Sequence, residues 1–246
     1  KSIDNQTHRN WRLVISDDGS SDNTLAIAKQ FQNKWESNRL EVRQGPQQGF
    51  CLNFLSMACD TTIRADLYAF SDQDDIWMPD KLERAVRYFD KNNESQLPIA
   101  YGTRTQIVDE MLKPLGFSPE FTLPRSFRNA LVQNISGGNT QVFNFVAKQL
   151  LEQAGLQKVI SHDWWLYQLV TGAGGIFHYD PVPSLLYRQH PKSLVGSNNS
   201  LRAKKERLRL VLRARFKQWN DINYAALNRI RHLLSTESKD TLDLFG

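Results

Sequence analysis

The sequence predicts an α/β fold with a largely parallel sheet, and three observations carry that prediction. Short apolar runs alternate with helical patterns over about the first ninety residues, the order that builds strand–helix–strand units. Two of those runs, Trp11-Arg12-Leu13-Val14-Ile15-Ser16 and Asp66-Leu67-Tyr68-Ala69-Phe70, stop abruptly in clusters of carboxylates. The chain has 246 residues, 40% of them hydrophobic and 11% aromatic, which supplies the core of one large domain and argues against disorder.

Taken in order, the first strand runs into Asp17-Asp18-Gly19-Ser20-Ser21-Asp22-Asn23-Thr24. A helix follows to about Trp35, with Ser21 or Asp22 as its N-cap. Leu40–Arg43 reads as a strand closed by the Gly45-Pro46 turn. Gly49–Cys59 is helical by the spacing of Phe50, Phe54, Met57 and Ala58. The strand ending at Phe70 leads into Ser71-Asp72-Gln73-Asp74-Asp75-Ile76-Trp77, then a helix over about Pro79–Lys91. Proline suits a first helical position, where its missing N–H costs nothing. Ile99–Val108 reads as one strand, Lys113–Pro124 as loop, and Ser126–Val132 and Val146–Ala154 as helices flanking Ser136-Gly137-Gly138-Asn139-Thr140. A helix begins around Ser161-His162-Asp163-Trp164-Trp165 and continues to about Val170, before strands at Gly175–Tyr179 and Ser184–His190.

From Leu201 the composition turns basic: Arg202, Lys204, Lys205, Arg207, Arg209, Arg213, Arg215 and Lys217 oppose Glu206. Apolar residues fall near helical spacing, and a second helix is expected over Ile222–Leu234. We therefore expect a domain over residues 1–200 and a basic amphipathic helical region over 201–246. That region suits an anionic membrane surface or a helical appendage packed on the domain with its charges in water. No nucleic-acid motif accompanies the charge, so nucleic acid is not an expected partner. The net charge of +5 by itself says only that anionic partners are compatible. Cys51 and Cys59, roughly 12 Å apart along one helix, are too distant for a disulfide. They read as reduced core residues of a cytosolic protein. No run of 18 apolar residues is present, no signal peptide opens the chain, and the first residue is Lys1.

The chemistry concentrates in the acidic turns. On an extended backbone Asp72 and Asp74 point the same way. Side-by-side carboxylates repel unless a cation sits between them, and Mg²⁺ or Mn²⁺ takes such oxygens together with substrate phosphates. A solvated turn favoured by the dipole of the following helix is the plainer alternative. Both turns, Asp17-Asp18 and Asp72–Asp75, fall at carboxyl ends of strands, where ligands bind in sheets of this class. That shared position favours one common site.

Four stretches occur in order: Ser16-Asp17-Asp18-Gly19-Ser20-Ser21-Asp22-Asn23-Thr24; Phe70–Trp77 with Pro79-Asp80-Lys81-Leu82; His162-Asp163-Trp164-Trp165; and Tyr187-Arg188-Gln189-His190. Together they resemble family 2 inverting glycosyltransferases of the GT-A fold, over about residues 1–200. The Ser-Asp-Gln-Asp-Asp-Ile-Trp and Tyr-Arg-Gln-His forms are most similar to rhamnosyltransferase-like members that build bacterial surface polysaccharides. The resemblance implies a GT-A-like (Rossmann-like) mixed, mainly parallel sheet with helices on both faces and a C-terminal helical appendage. It implies transfer of a sugar, rhamnose being one candidate, from a nucleoside-diphosphate donor to a polysaccharide or lipid-linked acceptor hydroxyl. The transfer would proceed with inversion and the help of Mn²⁺ or Mg²⁺, in a cytoplasmic enzyme or one peripheral on the inner membrane face.

Residue by residue, the resemblance implies that Asp18, with Asp17 beside it, holds a pyrimidine base. Asp72 and Asp74 would be the Asp-x-Asp pair near the ribose and the metal-bound diphosphate, with Asp75 adjacent. Asp163 would be the catalytic base. Its place at a helix start favours the charged form, while Trp164 and Trp165 would raise its basicity by excluding water. Arg188 and His190 would lie in a loop over the diphosphate. Gly138 and Asn139 either present N–H groups to donor or acceptor or form a plain turn. The family's fold opens with a strand that this sequence does not show, and a sheet lacking an interior strand has two unpaired edges. The competing functional readings are an inactive nucleotide- or glycan-binding remnant and a metal-dependent phosphohydrolase.

Overall fold

The structure, a computed structural model, describes residues 1–35, 38–92, 96–189 and 201–246, with side chains in the last stretch from 215 onward. Strand β1 (Leu13–Asp17) pairs in parallel with β2 (Leu40–Gln44) across helix α1 (Thr24–Lys34). Helix α2 (Phe50–Ala58) leads to β3 (Leu67–Ala69), and β4 (Ile76–Trp77) follows the acidic turn. Then come α3 (Lys81–Lys91), β5 (Ile99–Thr103), β6 (Gln106–Val108), β7 (Pro114–Phe117) and α4 (Phe127–Val132). A 3₁₀ turn (Gly138–Thr140) precedes β8 (Val142–Asn144), α5 (Phe145–Ala154), α6 (His162–Gly172), β9 (Ile176–Asp180) and β10 (Leu185–Arg188). The chain closes with α7 (Leu201–Arg229), a 3₁₀ turn at Arg231–Leu233 and α8 (Thr236–Phe245).

The strands form three sheets, ordered β1-β2, β3-β8-β5-β9 and β4-β10-β6-β7. The arrangement is mixed, as expected, and its two longest pairings, β1 with β2 and β5 with β9, are both parallel. Among the described residues β1 pairs only with β2 and β3 only with β8, so each keeps one unpaired edge. The core centres on α6, where Trp165, Leu166, Tyr167 and Val170 are fully buried. A helix apolar all round belongs inside, and α4, α5, β5 and β9 surround this one.

Several expectations shift. The run Ile99–Val108 is two strands in different sheets, not one. Arg104 N donates to Asp180 O and Thr105 N to the Ser118 hydroxyl, which turns the chain from one sheet into the other. The supposed loop after Lys113 contains edge strand β7, hidden from a propensity reading by Pro114 and by Gly116 at φ +148°. Helix α3 starts at Lys81, two residues past Pro79, whose carbonyl instead accepts from Thr7 N. Asn23, rather than Ser21 or Asp22, stands at the N-cap of α1, while the Asp22 carboxylate accepts from Thr24 N. In the C-terminal region one helix continues to Arg229, and the break comes at Ile230, not before Ile222. Asn223, Ala226, Leu227 and Ile230 are buried, so the second half of α7 is packed on the domain. No helix among the described residues is long and apolar enough to cross a membrane.

Candidate active site

The acidic turn is suspended between two sheets. On one side Phe70 roots it, packed against Phe54, Phe143 and the ring of His162. On the other, Ile76 and Trp77 pair antiparallel with Leu186 and Leu185 of β10. Asp75 is nearly buried, at 9% exposure. One of its oxygens accepts from Arg188 N at 3.2 Å and the other from the Asn139 amide. Burial raises the Asp75 carboxyl against those hydrogen bonds. Asp72 is pushed up to about 7, first by burial and then by the charges of Asp75, Asp74 and Asp163. Four carboxylates therefore share one negative region, drawn from the acidic turn and the start of α6. The hydroxyl of Tyr187, on β10, is raised by burial and by Asp75, Asp74 and Asp72, so it faces the same region.

Asp163 stands in the first turn of α6 and is held from both oxygens. Oδ2 accepts from Gly138 N and from Asn134 Nδ2, each at 3.0 Å, and Oδ1 from Trp164 N at 2.8 Å. The 3₁₀ turn thus faces the protein: Gly138 secures Asp163 and Asn139 secures Asp75. Gln141 adds to the frame, donating to the carbonyls of Ser136 and Asp163. Position 138 requires glycine because a Cβ there would lie 2.3 Å from His162 Nε2. The His162 ring stacks on Phe54 at 4.0 Å, buried, with both nitrogens unpartnered and its pKa lowered by burial. Trp164 and Trp165 are core residues; the Trp164 indole donates to Ala130 O.

The first acidic turn is joined to this region by α2. Both oxygens of Asp18 accept backbone N–H groups, from Gln47 at 2.6 Å and Gly49 at 2.9 Å, which sets the loop entering α2. Asp17 is lowered, first by the Ser20 hydroxyl, and it accepts from the N–H groups of Gly19 and Ser20. Its other oxygen is buried without a partner. At the head of α2, Phe50 meets His162 edge-on at 6.2 Å, and the Cys51 thiol feels the charge of Asp163. Cys51 and Cys59 are free thiols, as expected, both pushed up to about 11 by burial.

Among the described residues no three His, Cys, Asp or Glu side chains converge tightly enough to cage a metal. The carboxylates that a hard divalent cation would meet are those of the acidic turn, Asp72, Asp74 and Asp75, the last also held by Asn139 and Arg188. Phosphate oxygens would complete such a shell, the usual arrangement for Mg²⁺. The raised Asp72 carboxyl reflects burial first and then the crowding of Asp75, Asp74 and Asp163. Arg188 contributes its backbone N–H, while its buried Nε has no partner. His190 lies outside the described residues. Sequence reasoning missed Asn134, for which no local signal exists, and Tyr187, which stood inside a quoted motif without a role.

The family profile for glycosyl transferase family 2 matches residues 1–153. The dTDP-rhamnosyl transferase RfbG of Shigella flexneri is 31% identical over 86% of this chain and 74% of its own length. WfgD of Escherichia coli, a UDP-Glc:alpha-D-GlcNAc-diphosphoundecaprenol beta-1,3-glucosyltransferase, is 28% identical over 68% of this chain and 60% of its own. The mannosyltransferase PcManGT of Pyrobaculum calidifontis, solved with GDP-Man and Mn²⁺, matches 99% of this chain and 73% of its own. Its TM-score is 0.54 at 14% identity, a likeness of fold. The architecture is thus that of a GT-A glycosyltransferase. Within that class, the chain belongs to glycosyl transferase family 2.

Proposed function

We propose that the protein transfers a sugar from a nucleoside diphosphate to an acceptor hydroxyl with inversion, Asp163 acting as the base. The observation that carries this reading is the 3₁₀ turn that joins Asp163, held by Gly138 N, to Asp75, held by the Asn139 amide. A proton acceptor and a cation-seeking pair must stand that close if one bond forms as the opposite one breaks. The hydroxyl oxygen attacks the anomeric carbon while its proton passes to a carboxylate oxygen of Asp163. Gly138 N–H and Asn134 keep that carboxylate oriented, and Asp18 orders the loop that would flank the base. A divalent cation on Asp72 and Asp74 would neutralise the charge gathering on the departing diphosphate. The relation to RfbG supports dTDP-rhamnose as donor, and that to WfgD supports a lipid-linked acceptor.

Titrating dTDP, UDP and GDP with and without Mn²⁺ tests the donor half. Binding should require Mn²⁺ and vanish in Asp74→Ala. Asp163→Asn should keep that binding within about twofold while lowering transfer at least about 100-fold, the scale of a lost general base. Binding with no transfer in the wild type would favour the inactive binding module instead. Phosphate release that is insensitive to Asp163→Asn would favour a phosphohydrolase.

A further inference from the structure

Asn223 is a polar side chain in the packed half of α7, only 2% exposed. Its Nδ2 has no hydrogen-bond partner, so burying an amide here carries a cost that a leucine would avoid. What the amide does make is one long-range bond. Its Oδ1 accepts from Ile160 N at 3.1 Å, across 63 residues of chain. Ile160 lies in the loop joining α5 to α6, three residues before Asp163.

That loop has little else to fix it. Among the described residues, Ile160 N is the one backbone donor between Leu156 and Ser161 that reaches another element. The adjacent tie is a long one, from the Cys51 thiol to Val159 O at 3.7 Å. Ser161 stands at the N-cap of α6 without a side-chain bond to the helix, so the usual local clamp on the chain's entry is missing. The far end of α6 is held by the same C-terminal region. Ser235 N donates to Gly172 O at 2.9 Å, and a Cβ on Gly172 would lie 2.8 Å from Leu234 Cδ2. The helix carrying Asp163 is thus gripped at its entry by α7 and at its exit by the residues just before α8.

We propose that Asn223 is a positioning residue: by anchoring Ile160 it fixes where α6 begins, and through that the seat of Asp163 against Gly138 and Asn134. The anchoring stands on the hydrogen bond itself; its effect on transfer rests on Asp163 being the base, as proposed above. Misplacing a reacting group by about 1 Å costs on the order of 100-fold in rate. A loop held by one bond can therefore govern turnover without touching substrate.

Amide hydrogen exchange in the full chain reads the seat of Asp163 directly, because Gly138 N donates to it. In the wild type the Ile160 and Gly138 amides should both be protected. In Asn223→Ala both should exchange at least about tenfold faster while the amides of β1 stay as they were. Asn223→Asp should keep both protected, since a carboxyl retains an acceptor in either charge state and the lost Nδ2 had no partner. Faster exchange at Ile160 with Gly138 unchanged would overturn the proposal, and so would an unprotected Ile160 in the wild type. Asn223→Ser, too short to reach Ile160, takes the place of the alanine variant if that one does not fold. Turnover gives the second readout: Asn223→Ala should lower kcat at least about tenfold with dTDP–Mn²⁺ affinity held within about twofold, and Asn223→Asp should restore it. A lowered melting midpoint with kcat unchanged well below it would make Asn223 a packing residue and refute the positioning role. A wild type without transfer would count against the base reading, while exchange at Gly138 would still decide the positioning.

Discussion

At the scale of single residues, the informative group is Asp72. Its carboxyl is pushed up to about 7 by burial and by three neighbouring carboxylates, so below that pH it is largely protonated. A cation must then displace a proton. Mn²⁺ affinity should fall by up to about tenfold per pH unit below 7 and level off above it. Calorimetric titration at pH 6 and pH 8 checks this, and equal affinities would remove Asp72 from the ligand set. The folded-state value lies above the ordinary 3.8, so the native state holds the extra proton between about pH 4 and 7. Through this group, metal-free stability should decline as pH rises across that window. Added Mn²⁺ should offset that decline increasingly as pH rises toward 7 and keep a constant gain above it, readable in thermal melts.

At the scale of elements, the short Gly138–Thr140 turn does most to assemble the site. Gly138→Ala would place a methyl 2.3 Å from His162 Nε2 and 3.3 Å from the Asp163 Cβ. We expect it to cost about 1–3 kcal/mol in urea unfolding and to reduce transfer through the displaced N–H. Full activity in that variant would show that the contact with Asp163 is dispensable. The turn was legible as a glycine-rich break between helices, but the targets of its N–H and amide groups were not. Those depend on how closely α6 and the acidic turn approach it, a tertiary matter. The same limit explains Ile99–Val108, read as one strand yet divided by hydrogen bonds to Asp180 and Ser118, distant in sequence. The turn carrying Asp72 and Asp74 was legible because it ends an apolar run, whereas Asp163 was singled out only through the family resemblance.

At the scale of the whole molecule, strand–helix alternation is local and revealed the class of fold, whereas the division into separate sheets is not. Docking of the last helices was one of two readings the basic stretch allowed, and the burial of Asn223, Ala226 and Leu227 supports it for the second half of α7. Leu227 is completely buried in the main core, and Leu227→Ala should cost about 2–5 kcal/mol. Loss of the catalytic domain's cooperative melt in that variant would follow, whereas an unaltered midpoint would make α7 a mere attachment. The same three-residue turn clasps both Asp163, the base proposed above, and the last carboxylate of the acidic turn. Reshaping the donor end for another sugar nucleotide therefore tugs on the acceptor end as well, and an engineer wanting new chemistry here must vary the two as a single block.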